Sequence, residues 1–121
     1  MKTGVIILGH GSRASEAREV FAKMVAQIRE SVNYEIVKGA AMELAEPNLF
    51  QSVEEVVKQE VDKIIITPLF LFPGVHVQKD IPQLIKELED KYPTIDFKFA
   101  RNLGVDKKIT EVVVERIKEV S

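Results

Sequence analysis

The chain has 121 residues, enough for one domain but too few for two independent cores. It is 45% hydrophobic and 30% charged, an ordinary folded-domain mixture, and its formal net charge of -2 without a polybasic block argues against a nucleic-acid or anionic-membrane partner. It holds no cysteine, which excludes disulfides, thiolate metal sites, iron–sulfur clusters and cysteine nucleophiles. The apolar stretch at 5–8 is too short for a signal h-region or a membrane span, so the expected location is the cytoplasm.

Two periodicities alternate along the chain. Residues 3–9 (TGVIILG) form a short apolar run ending in glycine, the pattern of a buried strand. Residues 15–31 place Val20, Phe21, Met24, Val25 and Ile28 on one helical face, with Ser15 as cap and Glu16 in the first turn. A second strand is expected over 34–42. Pro47 suits the first turn of a helix whose apolar stripe is Leu49, Val53, Val56 and Val57.

Residues 63–72 (KIIITPLFLF) carry the strongest strand signal. Pro68 cannot donate to a ladder, so regular pairing should end near Thr67 and leave 69–77 as an apolar loop. A third helix is expected over 80–92, capped by Asp80, with Ile81, Leu84, Ile85 and Leu88 inward. A strand over 95–100 and a helix over 106–120 close the chain. In that last helix Ile109, Val112, Val113, Ile117 and Val120 repeat at helical spacing.

The order βαβαβαβα predicts an α/β lobe: three layers around a four-stranded parallel sheet, strand order 2-1-3-4, with 1–121 as one unit. The switch point falls between the first and third strands, and ligands bind beyond the carboxyl ends there. The two histidines of the chain both fall at that edge. His10 follows the first strand in Gly9-His10-Gly11-Ser12-Arg13, and His76 follows the third in Phe72-Pro73-Gly74-Val75-His76. Neutral imidazole suits Co²⁺, Ni²⁺, Fe²⁺ or Zn²⁺ and titrates near ~6.5 in unperturbed peptides, so it can bind a dication and accept a proton.

Two imidazoles leave a metal site incomplete. Glu43 and Glu46, at the end of the second strand, are delivered towards the same edge. Glu46 can equally serve as charge compensation for the helix that follows, and Glu43 as a solvated carboxylate. Leu71, Phe72, Pro73 and Val75 lead into His76 as an apolar patch suited to a flat organic ring or a subunit contact, while Leu69 and Phe70 fit the core end of the strand. Arg13, Lys79 and Arg101 lie near strand ends where carboxylates could be met. Gly9 and Gly11 do not complete a dinucleotide or P-loop fingerprint.

Taken together, LGHGSR at 8–13, MELAEPN at 42–48 and PLFLFPGVHVQKDIP at 68–82 resemble the short-form class II chelatases of tetrapyrrole biosynthesis, the archaeal sirohydrochlorin cobaltochelatases and nickelochelatases. The resemblance implies insertion of Co²⁺, or in methanogen relatives Ni²⁺, into sirohydrochlorin. It makes His10 the proton acceptor and a metal ligand, and His76 the second ligand. Glu46 and residues Leu71, Phe72, Pro73, Gly74, Val75 and His76 become substrate contacts, with Glu43 near the metal path. Ser12 and Arg13 become anchors for the ring's carboxylates. No cofactor beyond the substrate metal is implied, and a single lobe of this size implies a homodimer. Two other readings stay open on the residues alone: a phosphocarrier domain with His10 phosphorylated, and a non-catalytic metal or tetrapyrrole carrier.

Overall fold

β1 (Thr3–Gly9) lies in the middle of the sheet because it has no polar side to offer to solvent. The computed structural model describes residues 2–121 except Glu43 and Pro73, with the side chains of all of these but 75–78. After β1 follow α1 (Ser15–Ser31), β2 (Ile36–Ala41), α2 (Leu49–Val57), β3 (Lys63–Pro68), α3 (Val75–Lys91), β4 (Asp96–Phe99) and α4 (Lys107–Glu119). The strands pair in parallel in the order β2-β1-β3-β4, as the alternation of strands and helices predicts.

Side-chain alternation divides the core in two. Ile6 and Leu8 of β1, with Ile64 and Ile66 of β3, face α2 and α3 and meet Val53, Val56, Ile81 and Leu88. Val5 and Ile7, with Val37 of β2, face α1 and meet Phe21, Val25 and Ile28. Both faces of β1 are therefore sealed, the arrangement in which a parallel strand reads as an unbroken apolar run.

The element ends depart from expectation where local chemistry, not periodicity, decides them. Pro68 closes β3, and the ladder continues through Leu69, whose N–H donates to the Leu8 carbonyl at 2.8 Å. Pro47 stands outside α2, behind a cis Glu46–Pro47 peptide. Asn48 caps that helix instead: its side chain accepts from the Gln51 N–H, and the Gln51 side chain accepts from the Asn48 N–H. Ser15 is the first helical residue of α1 and not its cap; Ala14 holds that position, without a side-chain cap bond.

One correction is larger. α3 begins at Val75 and not at Asp80, so the apolar loop after β3 is shorter than its composition suggests and His76 sits in the first helical turn. Gly74 is its N-cap. The apolar stripe of α4 is left uncovered within the lobe: none of the helix's residues is buried. Spacing reports which side chains share a face. It carries no information on whether the sheet lies beneath that face.

Phe21 lies across the ends of β1 and β2, and both glycines beneath it are needed. A Cβ on Gly9 would stand 2.8 Å from the ring and one on Gly39 2.9 Å, well inside contact distance. Gly39→Ala is expected to lower the unfolding free energy by about 1–3 kcal/mol, as overpacking does. In the Phe21→Leu background the same change should cost clearly less than it does alone. Urea unfolding of the four proteins checks this; strictly additive losses would show that the ring is not what Gly39 accommodates.

Candidate functional site

The carboxyl ends of the strands form one rim, and backbone hydrogen bonds hold its segments together. The Met42 N–H donates to the Gly9 carbonyl at 2.9 Å, and the Leu69 N–H to the Leu8 carbonyl. The exits of β2 and β3 are thus tied to the exit of β1. On the far side the N–H groups of Leu103 and Gly104 donate to the carbonyls of Phe70 and Leu71 at 2.9 and 3.1 Å.

His10 is the first residue past β1 and is exposed at this rim. Its imidazole stacks on the ring of Phe70, with centroids 4.0 Å apart and planes inclined by 29°. Phe70 is itself buried, so it offers a fixed platform. Such a contact orients the imidazole while leaving its nitrogens free of a competing partner in the stack. The chain then turns sharply: Gly11 has φ 93°, in the left-handed region that favours glycine. Ser12 is half-buried, and its Oγ accepts from the Ala14 N–H at 3.0 Å, a tight turn that launches α1. Arg13 is exposed beside it.

A cavity of about 680 Å³ opens next to His10 and extends between α1 and the edge strand β2. Its rim is formed by His10, Gly11, Ser12, Ala45, Glu46, Pro47 and Leu69, and its wall by Phe21, Ala22, Val25 and Ala40. Arg18 and Arg29 supply two cations against the single carboxylate of Glu46, while Lys38 lines the edge by its strand position. Arg29 closes the deep end by donating to the Val37 carbonyl from Nη2 at 2.7 Å and Nε at 3.2 Å. Lys38 also meets Glu55 at 3.7 Å on the outside of the edge strand.

Of the residues singled out in the sequence, His10, Ser12 and Glu46 line this cavity together. Leu71 and Phe72 stand on the same rim, Phe72 79% exposed, as an apolar surface facing solvent. The backbone of His76 enters at the rim end of α3, on a helical turn and not in the expected loop, and Gly74 precedes it as an exposed cap. Glu43, Pro73 and the side chains of Val75 and His76 lie outside the described residues. Among the described residues no three of His, Asp and Glu converge as a ready-made metal cluster. Lys79 and Arg101 are exposed, Lys79 on α3 and Arg101 after β4.

Three contributors are not found from the sequence. Phe70 reads as core, yet it is the partner of His10. The signal was available in the register, since Leu8 lies opposite Pro68 and the same pairing carried two residues further sets His10 beside Phe70. Arg18 and Arg29 were also passed over, although with Ala22 they follow one flank of α1 beside Phe21.

Comparison with known proteins agrees with this geometry. A sirohydrochlorin cobaltochelatase of Methanopyrus kandleri is 34% identical, the match covering 95% of this chain and 94% of that one. The sirohydrochlorin chelatase SirB of Bacillus subtilis, solved in complex with cobalt, is 29% identical and superposes with a TM-score of 0.94. That match takes in 99% of this chain but 51% of the Bacillus chain. A putative cobalamin biosynthesis CbiX protein of Marinobacter aquaeolei is 32% identical with a TM-score of 0.84, covering 97% of this chain and 95% of that one. The CbiX family model matches residues 4–120, and the chain belongs to that family.

Proposed function

We propose that this protein is a sirohydrochlorin chelatase that inserts Co²⁺, and also Ni²⁺, into the metal-free tetrapyrrole. The observation that carries the reading is an exposed imidazole, stacked on a buried ring, at the mouth of a cavity of about 680 Å³ in a chain built like a cobaltochelatase along its whole length. Metal insertion exchanges one dication for two protons: the ion sheds water and gains four ring nitrogens, and two ring N–H groups lose their protons. A rim that serves this needs a ligand able to release the ion and a base able to take a proton.

His10 fills both roles, as metal ligand and proton acceptor. Its exposure and its single stacking partner support this, because neither ring nitrogen is committed to a structural hydrogen bond in that contact. His76 is the second ligand, supported by its entry at the rim end of α3. Glu46 and residues Leu71, Phe72, Pro73, Gly74, Val75 and His76 contact the ring; the exposure of Leu71 and Phe72 supports an apolar shelf for it. Ser12 and Arg13 anchor its carboxylates, and Glu43 lies on the metal path. The excess of cations around the cavity favours a polyanionic ring over a neutral one.

The working unit is a homodimer in the cytoplasm, with no resident cofactor besides the metal being inserted. One lobe leaves the rim open on one side, and the Bacillus chain, about twice as long, supports the need for a second lobe. The match to a chelatase family over 4–120 weighs against a phosphocarrier role for His10. No helix among the described residues is long and apolar enough to cross a membrane.

Absorbance changes of sirohydrochlorin on adding Co²⁺, Ni²⁺ or Fe²⁺ test the proposal: the Co²⁺ shift should be much faster with protein than without. Tight binding of ring or metal without acceleration would leave a carrier and sink the enzyme. His10→Ala is expected to cut Co²⁺ turnover about a hundredfold or more while shifting unfolding by about 1 kcal/mol, the loss of one ring contact. Near-native rates would remove His10 from the chemistry. Light scattering at micromolar concentration should give twice the chain mass; a fully active monomer would refute the dimer.

A further inference from the structure

Among the described residues neither nitrogen of His10 meets a hydrogen-bond partner, and the one ring contact of the imidazole is the stack on Phe70. A histidine that holds a resident metal almost always donates its second N–H to a carboxylate, a carbonyl or water. That bond fixes the tautomer, aims the ring and strengthens the ligand. At this rim a phenyl ring stands in its place.

Burial alone does not account for a phenyl at position 70. The buried residues of that core face are otherwise aliphatic, with Phe97 of β4 as the one further aromatic ring. Phe70 is 2% exposed, and a leucine would fill such a core nearly as well. What leucine lacks is a flat face. The platform is also tied down through its backbone on two sides. The Leu69 N–H donates to the Leu8 carbonyl, and the Phe70 carbonyl accepts from the Leu103 N–H at 2.9 Å. Of the stacked pair only His10 is exposed.

We propose that Phe70 is a positioning residue for metal transfer, whose ring fixes the plane of His10 while letting the imidazole slide across it. The inference rests on the reading of His10 as a metal ligand and says what orients that ligand. A hydrogen bond pins one nitrogen along one direction. A stacked face instead sets tilt and separation, and it tolerates lateral displacement. Insertion uses that tolerance: the ion starts on His10 with water around it and ends among four ring nitrogens. The ligand must therefore stay aimed along a path and not at one point. Without a hydrogen-bonded partner the imidazole is also not strengthened as a ligand, so it directs the ion and still releases it.

Phe70→Leu removes the flat face and keeps a buried apolar side chain, whereas Phe70→Tyr keeps the face. In Phe70→Leu, kcat for Co²⁺ insertion should fall about tenfold or more, the loss usual when the group orienting a metal-binding histidine is removed. KM for sirohydrochlorin and the affinity for Co²⁺ without the ring should stay close to native. Phe70→Tyr should retain most of the native kcat. Native kcat in Phe70→Leu would overturn the proposal, and a raised KM with unchanged kcat would make Phe70 a substrate contact instead. A Phe70→Tyr protein that is folded by circular dichroism yet as slow as Phe70→Leu would show that volume matters and the face does not.

A second measurement needs neither variant nor turnover. The chain has two histidines, so their imidazole protons are readily resolved by NMR, and His10→Ala assigns them. In the native protein the His10 Hδ2 and Hε1 resonances should lie upfield of their ordinary positions, displaced by the ring current of Phe70. They should return towards those positions in Phe70→Leu. Unshifted native resonances would refute the stack and the proposal with it. A native protein that shows the shift but does not speed metal insertion would overturn the chelatase reading itself, so the two failures are told apart.

Discussion

The site depends on the parallel pairing of β1 with neighbours on both sides. Because β2 and β3 run in the same direction as β1 and stop at nearly the same level, three chain exits arrive at one edge. The carbonyls of Leu8 and Gly9, the last of β1, then receive the N–H groups of Leu69 and Met42 from the two neighbouring exits. These bonds are ordinary ladder bonds carried one step past the strands. They fix His10, the segment leading to Glu46, and Phe70 relative to one another, and the stacking of His10 on Phe70 adds a side-chain contact between two of the three exits. The apolar side chains of β1 make that pairing stable, since both faces of the strand are sealed from water.

Much of this was legible in the residues, for identifiable reasons. Val5, Ile6, Ile7 and Leu8 leave no polar face, which forces β1 into the centre, and the strand order follows once β1 is central. His10 sits directly after β1 and His76 at the start of the helix that follows β3, so the placement of both backbones at one edge follows from topology. The failures have equally specific causes. The start of α3 was placed at Asp80 because Asp is a good cap and the residues before it are apolar; Gly74 serves as the cap without a side-chain bond, a role that composition does not advertise. Phe70 was read as core, correctly for its burial, but burial and contact with a functional group are separate properties. That the stripe of α4 is uncovered is not legible in its spacing, because periodicity cannot distinguish a face covered by the same chain from one that is left open.

The rim combines features that would conflict in a purely structural setting. An exposed Phe72 and Leu71 and an exposed imidazole contribute little to holding the lobe together. The stabilising contacts lie elsewhere, in Ile64, Ile66, Val53, Val56 and Leu88, all completely buried on the opposite face of the rim-bearing sheet from α1. Stability and chemistry meet at Phe70, which belongs to that core and carries His10. Substitutions at the rim can change what is bound without unfolding the lobe.

The arrangement of helix starts has an electrostatic consequence. In a parallel winding α1, α2 and α3 all begin at the edge where the strands end, so their positive termini converge on the rim. α2 satisfies its own terminal donors through Asn48 and Gln51, whereas α1 and α3 have no side-chain cap, and neither α2 nor α3 carries an acid in its first turn. A dication at this edge rests in a field that opposes its retention, while an anionic macrocycle arriving over it is drawn in. The scaffold holds cargo loosely and its acceptor firmly, the bias that a transfer site requires and a storage site must avoid.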